Sequence, residues 1–335
     1  MLKYILKRLF ISIFILLGVS VIIYTLVRLM PNDYIDLKYR EQLNTGTITQ
    51  EQVNEFKALY GIGDKSFGGI IGGYFTWLGN MLKGNFGNSF KYEKPVTQVI
   101  GENMWISFAI AIVATILQFI ISIPMGISSA THQYSARDYA VTIFTMMGIS
   151  LPTYFFAAVV IKIFSVNLGW LPSNGLIYAS KDYAQTLAGS IEKFGDIIKH
   201  LILPISVSVL LSLGGLMRYT RTNTLEVLNA DYIRTARAKG LSEKDVIYKH
   251  AFRNTLIPLA TMFAGILPSL FGGMMITEQV FGIDGIGRLA YQALREGDIP
   301  FVMGYNMFLA VLTIIGTLCS DIMYSIVDPR VKLGK

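Results

Sequence analysis

Charge is scarce in this chain of 335 residues, in which Asp, Glu, Lys and Arg together make up 15%. An ordinary soluble domain carries about 25%. Hydrophobic residues reach 53%, more than a globule of this length can hide from water. The apolar excess must face lipid, which excludes a soluble domain. Cysteine is rarer still: the lone Cys319 excludes a disulfide framework and any cysteine-based metal cluster. His132, His200 and His250 stand far apart at the ends of apolar runs and read as interfacial packing. Enzyme signatures are also missing. The chain has no His-Glu-x-x-His, no Gly-x-Ser-x-Gly and no Cys-x-x-Cys, so no local metal pair, nucleophile elbow or redox pair. It lacks the Gly-x-x-x-x-Gly-Lys-Ser/Thr loop that cradles phosphates. Gly285-Ile286-Gly287-Arg288-Leu289-Ala290 matches a dinucleotide fingerprint, but that fingerprint needs a preceding strand. Here an apolar span precedes it, and the glycines are expected only to turn the chain.

What is present is long apolar runs. A spanning helix needs about 20 mostly apolar residues, since the hydrocarbon core is about 30 Å thick and each residue rises about 1.5 Å. Six segments qualify: Leu9–Val27, Met104–Ile127, Ala140–Ile161, Leu201–Met217, which is shorter but uncharged, Leu256–Thr277 and Phe301–Ser320. Lys3, Lys7 and Arg8 before the first could mark a secretory leader. Its apolar run is long for one, however, and Leu26-Val27-Arg28 is no small-residue cleavage site. It reads as a retained helix.

Lys and Arg set the orientation. With a cytoplasmic N-terminus, fifteen fall in the short inner segments, eight of them in Arg218–Arg253. Twelve are spread over the longer outer loops, where acids offset them nearly one for one. Both termini are therefore expected inside. The net charge of +7 reflects this topology, and the basic stretch between two spans reads as an inner loop, with no nucleic-acid partner. The resulting layout is an N-terminal tail and first span over 1–30, an outer loop over 31–103, a five-span core over 104–330 and a tail over 331–335. Within the core, 218–255 is the inner loop and 278–300 an outer loop. The first outer loop should hold a polar helix over Thr49–Leu59 and an interfacial helix over Gly68–Leu82, rich in the aromatic residues that favour a membrane surface. In the inner loop, Asp231–Lys239 should be helical, Gly240 should end it, and Ser242 should cap a second short helix.

Polar groups in lipid are costly and usually face protein or water. Arg28 and Lys162 are expected to snorkel to the outer interface, and Asp321 to reach the inner headgroups. Glu278 and Gln279 follow the fifth span, where a pathway role and an interfacial role are equally open. Pro124, Pro152, Pro204, Pro258 and Pro268 lie in or beside spans and free carbonyls that neighbours or water must satisfy.

The stretch Asp231-Tyr232-Ile233-Arg234-Thr235-Ala236-Arg237-Ala238-Lys239-Gly240-Leu241-Ser242, followed by His250-Ala251-Phe252-Arg253-Asn254-Thr255-Leu256-Ile257-Pro258, resembles the signature loop of ABC-importer permeases. It is most similar to the dipeptide/oligopeptide/nickel family, with Arg234-Thr235-Ala236 where the general pattern has Glu-Ala-Ala. Leu29-Met30-Pro31-Asn32-Asp33, Gly84-Asn85-Phe86-Gly87 with Ser89, Thr277-Glu278-Gln279-Val280-Phe281 with Gly285-Ile286-Gly287, and Asp328-Pro329-Arg330 also resemble family elements, in the same order. The long first outer loop resembles the B-type permease.

The resemblance implies an all-α membrane protein of six transmembrane helices, of the type I ABC-importer permease kind, in the bacterial cytoplasmic membrane. It would form a pore for oligopeptides with a second permease. Two ATPase subunits would hold the ATP and Mg, leaving this chain without cofactor or catalytic residues, and an extracellular substrate-binding lipoprotein would deliver cargo. Arg234, Thr235, Ala236, Arg237, Lys239 and Gly240 would couple to the ATPase, with Ala236 packed in its groove. Glu278, Gln279 and Phe281 would belong to an outer gate. A secondary transporter would need an ionisable relay or inverted repeats with broken helices, and a membrane enzyme a nucleophile or metal constellation; neither is evident in the sequence.

Overall fold

The apolar runs become long helices. The computed structural model describes residues 2–29, 34–59 and 66–327; the resembling motifs at 30–33 and 328–330 and the tail at 331–335 lie outside them. Helix α1 spans Leu2–Arg28 and is followed in the first outer loop by α2 (Tyr34–Asn44), α3 (Gln50–Leu59) and α4 (Phe67–Leu82). The polar helix and the Gly-rich helix read from the sequence are α3 and α4; α2 was not foreseen. Ser66 caps α4 by accepting from the Gly69 amide. Among the described residues there is no strand, only an isolated bridge between Asn88 and Pro95.

Helix α5 runs Val96–Thr131 over 36 residues, or roughly 54 Å at 1.5 Å per residue. It contains the expected span 104–127 and overshoots it at both ends. The expected span 140–161 is not one helix. Helix α6 (Ala136–Ser150) and α7 (Thr153–Val160, continuing as a π-helical stretch over Ile161–Asn167) are bent by 105°. The cause is Pro152, which has no amide hydrogen and pushes Leu151 into an extended conformation (φ −82°, ψ 127°). Helix α8 covers Leu187–Leu228, 42 residues around the expected 201–217. Its flanking charges made the span look short from sequence, and its last turns take up the start of the expected inner loop.

Helix α9 (Asp231–Ala238), α10 (Glu243–Asp245), a π-helical stretch over Val246–Ala251 and α11 (Phe252–Phe271) follow. The fifth expected span, 256–277, is cut short: α11 stops at Phe271 and the chain turns through Gly272–Met274 into α12 (Met275–Val280). Gly273 adopts φ +74°, and a Cβ there would lie 2.4 Å from the Gly287 amide nitrogen, so only glycine fits. Helix α13 (Ile286–Glu296) and α14 (Ile299–Val327) complete the chain, α14 enclosing the expected 301–320. Among the described residues, four helices are long and apolar enough to cross a membrane, or five if the bent α6–α7 pair is one span.

Packing pairs α5 with α8, α11 with α14, α6 with α8, and α1 with α14. Small residues let the backbones close in: a Cβ on Gly126 of α5 would lie 2.8 Å from the Met217 carbonyl, and one on Gly214 of α8 would lie 2.6 Å from the Thr145 carbonyl. Helix α4 packs on α1 through Tyr24, Tyr74 and Trp77. Arg28 does not snorkel outward but is buried, with its guanidinium over the Tyr24 ring. Nor is Asp321 left to the headgroups: it pairs with Arg8 at 3.2 Å and ties α14 to α1.

Candidate coupling loop and outer-gate residues

The inner loop is a braced hairpin. Ile233 and Ala236, three apart on one face of α9, are buried together with Val246 and Ala251. Gly240 takes φ +77°, a left-handed value that ends α9 and turns the chain back. Ser242 then caps the restart, its Oγ accepting from the Asp245 amide at 3.1 Å. Arg237 forks onto Glu243 with Nη2–Oε1 and Nε–Oε2 distances of 2.6 and 3.2 Å. The guanidinium holds the Glu243 carboxyl below its ordinary value, and Lys249 at 2.6 Å does the same for Asp245.

Five of the six coupling residues are exposed: Arg234, Thr235, Arg237, Lys239 and Gly240. Ala236 is the exception at 5% exposure. Its methyl, expected in a partner's groove, faces its own chain, because the restart after Gly240 folds back over that side of α9. Tyr232 and Leu241, both exposed, stand on the outward side instead.

The outer-gate candidates separate in the same way. Gln279 is exposed, whereas Phe281 and Glu278 are each only 1% exposed. The Glu278 carboxylate lies in a cradle of donors. Oε1 accepts from Ser107 Oγ at 2.7 Å and the Met274 amide at 2.9 Å, and Oε2 accepts from the Arg288 amide at 2.9 Å. Ser107 Oγ in turn accepts from the Ile286 amide at 2.9 Å. A Cβ on Gly285 would meet the carboxylate at 2.5 Å, and one on Gly287 would come within 3.0 Å of Oε2. The glycines that imitate a nucleotide fingerprint thus clear space for a side chain of the same protein.

Two further charged centres had no signal beyond an isolated acid in the sequence. Asp138, 3% exposed at the start of α6, receives a bidentate fork from Arg221 of α8 at 2.8 and 2.9 Å. The Ser129 hydroxyl donates to the same carboxylate, as does the Tyr134 amide at 3.0 Å. This knot ties α5, α6 and α8 at one end. Asp298 accepts from Ser89 Oγ at 2.5 Å, the Lys91 amide at 3.1 Å and the Phe301 amide at 3.2 Å. It caps α14 and holds the 84–89 element in place.

Residues 122–333 match the family described as binding-protein-dependent transport system inner membrane component. The chain is 38% identical to the oligopeptide transport system permease protein AppB of Bacillus subtilis, over 99% of this chain and 100% of that protein. It is 32% identical to a putative peptide permease protein of Brucella ovis, over 99% and 100% of the two chains. With the dipeptide transport system permease protein DppB of Alkalihalophilus pseudofirmus it shares 31% identity, again over 99% and 100%. Among solved structures, a chain of the MetNI methionine ABC transporter in an inward-facing conformation superposes with a TM-score of 0.52 at 18% identity, covering 69% of this chain and 97% of that one. At that identity the likeness speaks for the fold alone. The family match covers more than half of the chain and full-length relatives exceed 30% identity, so the chain belongs to the family of binding-protein-dependent transport system inner membrane components.

Proposed function

We propose that this chain is one of two permease subunits of an ABC importer, lining a path for oligopeptides across the bacterial cytoplasmic membrane. Two ATPase subunits bind and hydrolyse ATP with Mg on the inner side, and an extracellular binding protein delivers peptide on the outer side. The observation that carries this reading is α9: a short helix braced from behind by its own chain, with a polar and aromatic face left uncovered. A floppy loop would dissipate the displacement of a partner, whereas a helix backed by Val246 and Ala251 passes it to α8 and α11. Full-length identity to proteins named as peptide permeases supports peptide as the cargo.

In this reading the membrane is crossed six times, by α1, α5, the bent α6–α7 pair, α8, α11 and α14. Both termini and α9 lie inside; α2–α4 and α13 lie outside. Arg234, Thr235, Arg237 and Lys239 meet the ATPase, while Ala236 and Gly240 shape the helix that does so. At the outer end, exposed Gln279 meets cargo or partner, and Glu278 and Phe281 hold the α12–α13 turn beneath it. The test is to purify the tagged chain from its native membrane and measure oligopeptide uptake in a strain lacking it. A second permease and an ATPase should copurify, and uptake should depend on the chain. A chain that purifies alone from cells with unimpaired uptake would sink the proposal.

A further inference from the structure

A groove of about 640 Å³ opens between α1, α4, α5 and α14. Its walls are almost wholly apolar, including Ile13, Leu17, Leu82, Met104 and Phe308. The Ser20 hydroxyl on the wall is already engaged, 2.8 Å from both Tyr74 Oη and the Leu17 carbonyl. Water has almost nothing to bind there, and polar cargo has no partner. The wall residues run Ile13–Ser20 on α1, Thr97–Met104 on α5 and Gly304–Val311 on α14. Each stretch rises about 10 Å, within the roughly 15 Å depth of one leaflet.

We infer that this groove binds one acyl chain of an anionic phospholipid. Continuity argues for lipid. Ile13 and Leu17 are exposed and belong to the apolar face of α1, which also carries Phe10, Phe14 and Val21. The groove is therefore an inlet from the bilayer. Charge at the rim selects the headgroup: Lys83, exposed, directly follows the wall residue Leu82 in the turn after α4, and a lysine at the surface attracts anionic lipid. Assignment to the outer leaflet rests on the proposed topology; the groove itself does not.

One wall position makes the inference testable. Gly101 lines the groove, and a Cβ built on it meets nothing within 4 Å. Gly101→Leu thus fills the groove without striking the protein, and leucine suits a helix better than glycine. Native mass spectrometry of the full chain, with its accompanying subunits, in mild detergent containing equal dioleoylphosphatidylglycerol and dioleoylphosphatidylcholine reads the retained lipid. The expected result is one retained phosphatidylglycerol per chain, weakened about tenfold by Gly101→Leu with no loss of melting temperature. Leu78→Trp, filling from the opposite wall, should give the same loss. Lys83→Gln should keep a lipid but lose the preference for phosphatidylglycerol. Unchanged retention in both filled variants overturns the inference, and so does loss of the second permease instead of the lipid. Uptake is not the readout, so failure of the transport reading would leave the lipid count untouched.

Discussion

Ser107 and Glu278, 171 positions apart in the chain, share a buried hydrogen bond of 2.7 Å. Through it α5 is joined to α12, and Glu278 also gathers the amides of Met274 and Arg288. The carboxylate takes the place of the helix continuation that Gly272 and Gly273 forgo. Of its three donors, the Ser107 hydroxyl is fully buried and the two amides partly so.

Removing that carboxylate should therefore cost stability before it costs transport selectivity. Glu278→Ala leaves buried donors unpaired, each worth about 1–3 kcal/mol. Glu278→Gln keeps one acceptor oxygen but turns an amide donor toward a backbone N–H, and should be milder. Melting temperature in detergent should rank native above Gln above Ala. Gly285→Ala should resemble the Ala variant, because its Cβ would sit 2.5 Å from the carboxylate. Equal melting of Glu278→Ala and native chain would show that the cradle is not structural.

The fork between Arg221 and Asp138 gives a second expectation. Arg221→Ala strands a buried carboxylate, at a cost toward the lower end of about 3–5 kcal/mol, since Ser129 and the Tyr134 amide remain. Arg221→Lys keeps the charge but loses the two-pronged geometry and should fall between. Asp138→Asn with Arg221→Ala should be less harmful than the sum of the single changes. A double-mutant cycle on chemical unfolding measures this coupling, and strict additivity would refute it.

On α9, buried and exposed positions should separate. Ala236→Leu overfills the contact with Val246 and Ala251 at about 1–3 kcal/mol, lowering uptake through the shape of the loop. Gly240→Val should do the same by forbidding the left-handed turn. Tyr232→Ala and Thr235→Glu change exposed positions and should weaken ATPase copurification with little change in melting temperature. Full ATPase retention in both exposed-face variants would remove α9 from the contact.

Acid should loosen this loop in a defined direction. Arg237 depresses the carboxyl of Glu243 below its ordinary 4.5, so the pair stabilises the fold fully above that value and is lost as pH falls through the lower folded value. Both side chains are about half exposed, and the effect is small, within about 1 kcal/mol. Native chain should lose more melting temperature than Glu243→Gln on going from about pH 6 to about pH 3. Parallel losses would count against the pair.

Single cysteines at Thr45 and Ser242, in a Cys319→Ser background, should react oppositely with an impermeant thiol reagent in intact cells. Thr45 should label from outside and Ser242 only after permeabilisation. Labelling of both from outside would break the six-span topology.

The helices at α5, α8 and α14 were legible because each is announced by a local run of apolar residues, and so were the Gly240 turn and the Ser242 cap, whose signals lie within a few residues. The breaks were harder to read. Pro152 was noted, yet its 105° bend depends on where α7 finds its packing partners. Gly272-Gly273 looked like ordinary span residues, and only the close approach of Gly287 shows why α11 must stop there.

The sequence by itself determined that this chain lives in lipid, which family signature its inner loop carries, and where its short-range turns fall. Hydropathy and capping are sums over neighbouring residues, so they need no fold to be read. Only tertiary structure decided that Ala236 faces inward, that Glu278 is held by Ser107 and backbone amides, and that Asp138 is forked by Arg221. A charged or polar side chain buried in a low-dielectric interior must find a partner, and the chain offers many candidates at every distance; packing of the long helices selects one.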